Sequence, residues 1–328
     1  MEILRVDGRD NAIFERYFRL REEVRQAEQE FPAGFSREDA QVMFATEHSD
    51  VRVEGLGLVD GDSWLGMAWL DWWLEENTDV LDVEIVVAPQ YRRQGVASKL
   101  LDVIVDKARA DGRTRLSTNV IAGAADGTSS GTAFAEARGF VRTHEELHQV
   151  LRLPLSDEAI GKLDRPVTGY ELVQWREHTP DEWLAEFADA HRAMSNDVPQ
   201  GERGLEEMRW TPERIREAEA RRIAQGRFCH TTVAVDGDGR LAAYTQLGGS
   251  TANRERLYQY DTFVRPEHRG HRLGMAVKIP NLRSLQADLT EPAIVHTWNA
   301  PENGPMIRVN EHLGFTPSDR RVALQRTL

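Results

Sequence analysis

Two segments of the sequence place arginines and small residues where an apolar run gives way to an amphipathic one. VVAPQYRRQGVASKLL covers residues 86–101, and FVRPEHRGHRLGMAVK covers residues 263–278, 177 positions later. Each pattern predicts a strand that turns directly into a helix. Because the first N–H groups of a helix lack partners within it and carry partial positive charge, such a turn favours binding of an anion.

The first segment contains further features of an anion site. Gly95 and Ala97 allow close approach to the backbone, and Arg92 and Arg93 add charge-assisted donors. We therefore expect a diphosphate here, the alternative being an ordinary strand-to-helix corner with solvated arginines. A nucleotide triphosphatase loop or a dinucleotide fingerprint is not expected, because there is no GK[ST] ending and only one glycine between Arg92 and Leu101.

An acidic residue precedes the proline of each segment by the same distance. Glu84 comes before Pro89, and Asp261 comes before Pro266. A carboxylate at this place on a strand can accept the proton of an amine, whose pKa of about 10 otherwise keeps it charged. On an alternating strand the same carboxylates could instead face solvent or be satisfied within the core.

The repeat organises the whole chain. With 328 residues and 40% apolar content, the sequence is long enough for two packed cores. The predicted elements of the first half recur in order in the second, and the Gly-Phe pairs at 139–140 and 314–315 lie 175 positions apart. We expect two domains of one fold, residues 1–155 and 169–328, joined by a polar linker at 156–168.

Hydrophobic periodicity predicts a mixed α/β domain in each half. Capping signals mark three helix starts, at Ser36 with Asp39, at Thr179 with Glu182, and at Thr211 with Pro212. The expected strands of the two halves cover residues 51–59, 63–73, 80–87, 116–121 and 147–153, then 170–175, 230–235, 241–248, 259–264 and 294–298.

Composition excludes several classes of function. A formal net charge of −13 argues against nucleic acid or an anionic membrane surface as the partner and is compatible with a cationic small substrate. The single cysteine, Cys229, excludes a disulfide framework and a multi-cysteine zinc site. The N-terminus does not resemble a signal peptide and no window predicts a membrane helix, so a cytoplasmic protein is expected.

The loop and its surroundings resemble the GNAT acetyltransferase superfamily. RRQGVA at 92–97 matches the coenzyme A loop Q/R-x-x-G-x-G/A of that family, and the downstream RGF and LGF triplets match as well. The resemblance covers nearly all of both halves, in an arrangement similar to mycothiol synthase. It implies an α/β fold of two tandem domains, each a mixed, largely antiparallel twisted sheet flanked by helices. It also implies transfer of an acetyl group from acetyl-CoA to a small-molecule amine, with coenzyme A as product.

The resemblance also implies cofactor-binding positions, with pyrophosphate on the loops and pantetheine in a gap between diverging strands. In the first half these positions are Val86, Val87, Arg92, Arg93, Gln94, Gly95, Val96, Ala97 and Asn119. In the second half they are Phe263, Val264, Arg269, Gly270, His271, Arg272, Leu273, Gly274, Asn299, Asn303 and Met306.

Catalytic roles follow from the resemblance with two departures. Glu84 and Asp261 are the expected general bases, and mycothiol synthase-like tandems favour the second half as the active one. The family often has a tyrosine four residues before the GF glycine to protonate the leaving thiolate, but Ala135 and Asn310 stand there. Asn310 could hydrogen-bond the thiolate without being an efficient acid. Arg272 occupies the place of the inner glycine in the second loop.

Contacts to the acceptor amine are expected from the first helices and the loops of each half. The candidates are Phe31, Trp72 and Trp73 in the first half and Asn196, Asp197 and Trp210 in the second. Asp197 suits a cationic amine, although it could equally cap a turn, and aromatic residues at such places commonly serve packing.

Two short motifs match signatures of other enzymes but lack the structural context that those signatures require. HEELH at 144–148 satisfies the zinc pattern H-E-x-x-H, which requires a helix, but it leads into a predicted strand. GTSSG at 127–131 satisfies G-x-S-x-G, but no strand leads straight into it. We expect neither a metal site nor a nucleophile elbow.

The sequence therefore predicts an acetyl-CoA-dependent N-acetyltransferase that acts on a small amine as a monomer or homodimer. Two alternatives stay open. One is a non-catalytic coenzyme A-binding or scaffolding protein, suggested by the missing tyrosines, and the other is an acyltransferase that uses a longer acyl-CoA.

Overall fold

A computed structural model describes residues 1–197, 199 and 201–328 of the chain, which form two compact units. Unit 1 comprises Met1–Glu146, Gln200–Glu206 and Asp319–Leu328, and unit 2 comprises Leu147–Pro199 and Glu207–Ser318. The units are thus interleaved along the sequence, whereas the sequence pattern suggested two consecutive domains.

Unit 1 is built on a sheet with strand order β1-β2-β3-β4-β5-β12, in which only β4 and β5 are parallel neighbours. Its elements are β1 (Glu2–Val6), α1 (Asn11–Glu28), α2 (Arg37–Ala45), β2 (Val51–Asp60), β3 (Ser63–Trp73), β4 (Val80–Val87), α3 (Val96–Ala110), β5 (Arg115–Ala122), α4 (Ser130–Ala137) and β12 (Thr316–Thr327).

Unit 2 repeats the plan with strand order β6-β11-β10-β9-β8-β7, and β10 and β11 are its parallel neighbours. Its elements are β6 (Val141–Leu153), α5 (Asp157–Leu163), β7 (Tyr170–Arg176), α6 (Asp181–Asp197), α7 (Pro212–Ala224), β8 (Arg227–Asp236), β9 (Leu241–Ser250), β10 (Arg256–Val264), α8 (Leu273–Gln286), β11 (Ala293–Asn299) and α9 (Gly304–Leu313). The first residues of two strands fall outside the unit named for them, since β6 belongs to unit 2 from Leu147 and β12 to unit 1 from Asp319.

The interleaving results from an exchange of strands. β12, at the end of the second half of the sequence, pairs antiparallel with β5 from Arg320↔Ala122 to Thr327↔Arg115. β6, from the first half, pairs with β11 from Ala293↔Leu153 to Asn299↔Leu147. Periodicity identifies a strand but not its neighbour, so sequence patterns could not reveal this exchange.

Each sheet packs helices on both faces because apolar side chains alternate along its strands. In unit 1, α3 covers the face that carries Leu70 and Leu81, and α1 with α2 covers the face that carries Met67 and Trp69. In unit 2, α8 and α9 cover one face and α6 and α7 the other.

All three predicted helices are present and two of the predicted caps are confirmed, but the capping box at Thr179 is not, because its Oγ1 is buried with no partner among the described residues. Ser36 and Asp39 form a reciprocal capping box on α2, and Thr211 caps α7 with Pro212 at its first position. The expected linker contains α5, whose Ile160 is buried in the core of unit 2. Among the described residues, no helix has the length and apolar character that spanning a membrane requires.

Candidate active site

The two loops predicted to bind diphosphate connect a strand to a helix in each unit. Val86 and Val87 end β4 and Val96 and Ala97 begin α3, while Phe263 and Val264 end β10 and Leu273 and Gly274 begin α8. Both loops use two left-handed residues at equivalent places, Arg93 (φ 61°) and Gly95 (φ 82°) in unit 1, Gly270 (φ 85°) and Arg272 (φ 62°) in unit 2. Their backbone conformations therefore match, although glycine and arginine have exchanged positions.

The open surface of each loop is suited to an anion. Gly95 and Arg272 are the N-caps of α3 and α8, and no side chain in the described part of the chain caps either helix. A Cβ built at Gly95 or Gly270 would meet no described atom within 4 Å. The first helical N–H groups thus stand at an uncovered backbone, as binding of a diphosphate requires.

The side chain of Arg92 is already engaged by its own unit. Its Nε donates to the Val87 carbonyl at 3.2 Å, and Nη1 lies 2.5 Å from the Glu28 carboxylate on α1. Arg92 therefore fastens the loop to the strand and to α1, which argues against the direct diphosphate contact expected for it.

Arg269 makes the same two interactions in unit 2. Its Nε donates to the Val264 carbonyl at 3.3 Å, and its guanidinium pairs with Asp197 at the end of α6. Asp197 is thus occupied by an arginine, and this pairing argues against its expected role as the partner of a cationic acceptor.

The parallel strand pairs separate beside each loop. β4 pairs with β5 over residues 80–82 and 115–117, and β10 pairs with β11 over residues 256–258 and 294–296. Both strands of each pair continue beyond the last of these residues. The unpaired backbone edges that result form the gap in which a pantetheine arm was expected.

Several predicted site residues have buried side chains, among them Val86, Phe263 and Asn310. Val86 and Phe263 are 9% and 4% exposed, so only their backbone could face a cofactor. Asn310 is 0% exposed, and its Nδ2 donates to Gln149 Oε1 at 3.3 Å. A fully buried amide cannot contact a thiolate in a solvent-accessible groove, so the structure argues against the catalytic role expected for Asn310.

The other predicted asparagines differ in environment. Asn299 ends β11, and its Nδ2 is buried with no hydrogen-bond partner in the part of the chain that the structure describes. Asn303 instead caps α9, where it accepts a hydrogen bond from the Met306 N–H at 3.4 Å. Asn119 is exposed on β5 opposite Ala323. Asn299 therefore ends β11 with a side-chain donor that no described residue uses.

Glu84 in unit 1 is held by two arginines of α1. Its Oε2 accepts from Arg21 Nε and Nη2 at 2.9 and 2.7 Å, and Oε1 accepts from Arg25 at 3.2 Å. Burial disfavours its ionisation, but the charges of Arg21 and Arg25 outweigh burial and lower the pKa of Glu84 to about 2. Such a carboxylate is a poor proton acceptor, so this environment argues against Glu84 as a general base.

Asp261 in unit 2 stands at a bulge in β10. Gln259 pairs with Leu247 and Thr262 pairs with Thr245, so Tyr260 and Asp261 stand together opposite Gln246 alone. A bulge re-aims side chains next to the point where strands separate. In unit 1, by contrast, β3 and β4 pair in continuous register past Glu84.

The neighbours of Asp261 differ in kind from those of Glu84. Oδ2 lies 3.4 Å from the Tyr244 hydroxyl and 3.6 Å from His191 Nδ1, and the side chain keeps 34% exposure. Burial raises the pKa of Asp261 to about 6, although the hydrogen bond from Tyr244 opposes the rise. A carboxylate with a raised pKa and an exposed edge is suited to accepting a proton near neutral pH.

The residues of unit 1 that were predicted to contact the acceptor amine do not lie together. Trp72 is 1% exposed in the core under α3, so it cannot contact an acceptor. Trp73 donates from Nε1 to Asp82 at 2.8 Å. Phe31 lies half-buried in the segment between α1 and α2.

In unit 2, one of the residues predicted to contact the acceptor amine, Trp210, lies on the side of Asp261. The Trp210 ring is 4.7 Å from that of His191, and its Nε1 donates to Ser195 at 3.3 Å. Asn196 is exposed and donates to Glu207 at 2.8 Å. Trp210 is therefore brought towards Asp261 and Asn196 is engaged elsewhere.

HEELH lies on strand β6 and not on a helix, whereas GTSSG, expected to be a loop, runs into the first turn of α4. Within GTSSG, Ser129 caps α4. No group of three or more potential metal ligands occurs among the residues that the structure describes.

Sequence reasoning missed the residues that surround the two acids. Arg21, His191 and Tyr244 were not singled out, because a charged or polar residue on the apolar face of a helix or strand carries no motif. Equivalent helix positions in the two halves offered a signal, since Arg21 and His191 each follow an aromatic residue by four places.

Comparisons with known proteins identify the fold and match part of the chain to a family. The profile of the acetyltransferase (GNAT) family matches residues 20–140. The chain contains a GNAT acetyltransferase domain. A tandem GNAT protein from the clavulanic acid biosynthesis pathway is similar to this chain, with a TM-score of 0.83 and 27% identity over 99% of this chain and 98% of that protein.

A second solved structure supports the tandem GNAT fold. The GCN5-related N-acetyltransferase from Sphaerobacter thermophilus has a TM-score of 0.69 and 14% identity, over 99% of this chain and 95% of that one. A search of the curated proteins gives no match to the chain.

Proposed function

We propose that this tandem GNAT chain transfers an acetyl group from acetyl-CoA to the amine of a small molecule, and that unit 2 performs the reaction. One observation carries the proposal. Asp261 lies next to the separated ends of β10 and β11 with its carboxylate free of any cation among the described residues. Glu84, at the equivalent place in unit 1, is bound by Arg21 and Arg25.

The residues present fit coenzyme A. The uncapped starts of α3 and α8, with Gly95 and Gly270 open to the outside, would hold its diphosphate. The buried Nδ2 of Asn299, which lacks a partner in the described ranges, supplies a donor at the end of β11. When bound, acetyl-CoA supplies an activated thioester.

The chain's own task is to remove a proton from the acceptor. Asp261 can accept that proton on its exposed carboxylate edge, which leaves the nitrogen lone pair free to form the new C–N bond as the C–S bond breaks. Solvent supplies the proton for the departing sulfur, because Asn310 is buried and cannot. The acidic net charge of −13 is compatible with attracting a cationic amine.

A different role suits unit 1. Its loop has the same backbone conformation as that of unit 2, but its strand acid is neutralised by Arg21 and Arg25. We therefore propose that unit 1 binds coenzyme A without catalysing transfer, which retains the non-catalytic alternative for this half alone.

Release of free thiol from acetyl-CoA, measured with a panel of small amines, tests the proposal. Asp261→Asn should reduce the rate by about 100-fold or more, because an amide cannot take up the proton. Glu84→Gln, assayed at a temperature where it stays folded, should keep the rate within a few fold. Calorimetry on both variants should show unchanged binding of coenzyme A.

Two results would contradict it. Equal loss in Glu84→Gln would place chemistry in unit 1, and thiol release from no amine, with coenzyme A still bound, would favour a binding protein.

A further inference from the structure

His191 on α6 is the buried residue that faces Asp261. It is 7% exposed and packs among Phe187, Trp210 and Tyr244, with ring centroids 4.6, 4.7 and 4.8 Å away. Its Nδ1 lies 3.4 Å from the Tyr244 hydroxyl and 3.6 Å from Asp261 Oδ2. The three polar groups therefore form one cluster against an aromatic wall.

The environment of the other ring nitrogen sets the tautomer of His191. Its Nε2 is buried and has no hydrogen-bond partner in residues 1–197, 199 and 201–328. An N–H buried without an acceptor is costly, whereas Nδ1 has two oxygens beside it. The proton therefore belongs on Nδ1, from where it can be donated to the Asp261–Tyr244 pair.

The same position in unit 1 is Arg21. The buried faces of α1 and α6 align with a constant spacing, which places Tyr17 with Phe187 and Arg21 with His191. Each residue contacts the strand acid of its own unit, Arg21 through its guanidinium at 2.7 Å and His191 through Nδ1. One helix position thus offers a permanent cation in unit 1 and a neutral donor in unit 2.

We infer that His191 is the positioning residue that holds Asp261 ready to accept the proton of the acceptor amine. We infer also that unit 1 is not catalytic because Arg21 occupies the equivalent position there. This inference rests on the proposed function. A neutral donor orients a carboxylate and leaves it able to take up a proton, while a bidentate guanidinium keeps it ionised.

The charged and titratable neighbours of Asp261 are compatible with this role. Tyr244 faces it from β9 and His191 from α6, and the charge of Arg222 on α7 acts on His191. Burial, together with the charge of Asp261, raises the pKa of Cys229 on β8, so this thiol is neutral. Burial, with the charge of Arg222, lowers the pKa of His191 to about 3, so the imidazole is neutral wherever Asp261 titrates. Burial likewise raises the pKa of Tyr244 well above 10.

The pH dependence of kcat/KM for His191 variants of the whole chain tests the inference. His191→Phe removes the donor, and we expect kcat/KM at pH 7 to fall about 10- to 100-fold. The acidic limb of the pH profile of kcat/KM should also shift upward by about one pH unit. His191→Asn returns an N–H near the place of Nδ1 and should restore most of the rate and the original limb. His230→Asn is the matched control, because His230 is a buried histidine of the same unit that bonds to Ser284 instead.

The possible outcomes separate this inference from the function on which it rests. If Asp261→Asn abolishes activity while His191→Phe keeps the wild-type rate and limb, the positioning role is wrong and the proposed function stands. If Asp261→Asn is fully active, the proposed function itself fails. If His191→Phe does not fold, His191→Leu takes its place as the variant without a donor. The inference is then overturned if His191→Asn and a folded His191→Leu show the same acidic limb in the pH profile of kcat/KM.

Discussion

Glu84 in unit 1 and Asp261 in unit 2 occupy equivalent places on β4 and β10, yet the pKa values of the two carboxyl groups are shifted in opposite directions. Two guanidinium groups hold the pKa of Glu84 at about 2 against the effect of burial, whereas burial without a cation raises the pKa of Asp261 to about 6. The difference comes from α1 and α6, which supply Arg21 in one unit and His191 in the other. Equivalent places in the same order of strands therefore do not imply the same chemistry.

The loops show the reverse relation, in which side chains differ and the backbone does not. Arg93 and Gly95 adopt the left-handed conformation in unit 1, as Gly270 and Arg272 do in unit 2. Because the N–H groups of the chain and not its side chains form an anion cradle, either order of glycine and arginine preserves the geometry. Under the proposed function, both units present the same surface to coenzyme A while only unit 2 carries a usable base.

The largest expected effect comes from removing the exchanged strand. Deletion of residues 319–328 removes the part of β12 that pairs with β5 between Arg115 and Ala122. We expect unit 1 to lose cooperative folding, because the edge of β5 loses its partner strand and the buried Val322 and Leu324 are removed with it. Hydrogen exchange of the β5 amides checks this, and full protection in the truncated chain would show that β12 is dispensable.

The next effect contrasts the two acids in stability. Glu84→Gln should lower the free energy of unfolding by about 3 kcal/mol, because it leaves the buried Arg21 charge without its partner. Asp261→Asn should raise it by about 1 kcal/mol after allowance for solvent screening, since it removes a carboxylate that burial disfavours. Urea unfolding at pH 7 measures both, and changes of the same sign would contradict the contrast.

The pH dependence of stability sharpens the same contrast. The stabilisation by Glu84 is present above its usual pKa of 4.5 and is lost as the pH falls towards 2. The ionised Asp261 carboxylate lowers the free energy of unfolding by its full amount above pH 6 and not at all below pH 3.8. The difference between wild type and Asp261→Asn should therefore vanish at pH 3.5, and its persistence there would exclude the titration as its cause.

Activity should follow the acid of unit 2 alone. We expect kcat/KM to rise with pH through about 6 and to reach only about one-tenth of its plateau at pH 5, because Asp261 must be ionised to accept a proton. Glu84→Gln should leave this limb in place. A flat profile between pH 5 and 7 would count against Asp261 as the base.

The smallest effect exchanges the left-handed residues of the two loops. Arg272→Gly should stabilise the protein by about 1 kcal/mol and Gly95→Arg should destabilise it by a similar amount, because an L-residue at positive φ is strained. Coenzyme A affinity, measured by calorimetry, should change little in either variant, since a Cβ at Gly95 meets no described atom within 4 Å. Loss of binding in Gly95→Arg alone would show that the long side chain obstructs the ligand.

Much of each site was predictable because its signals are local. The strand-to-helix loops, the acids five residues before Pro89 and Pro266, and the caps at Ser36 and Thr211 all depend on neighbouring residues. The engagement of Arg92 and Arg269 was not predictable, because it depends on carboxylates of distant helices. For the same reason the burial of Trp72 and Asn310 became visible only in the packed chain.

The sequence by itself determined the repeated plan, the positions of the loops and the presence of an acid beside each, since periodicity and spacing record local conformation. Tertiary structure decided which sheet each of β6 and β12 completes, because strand pairing depends on which apolar edges meet. It also decided which acid can work as a base. The charge state of a carboxylate depends on the groups packed around it, and here those groups are Arg21 and His191.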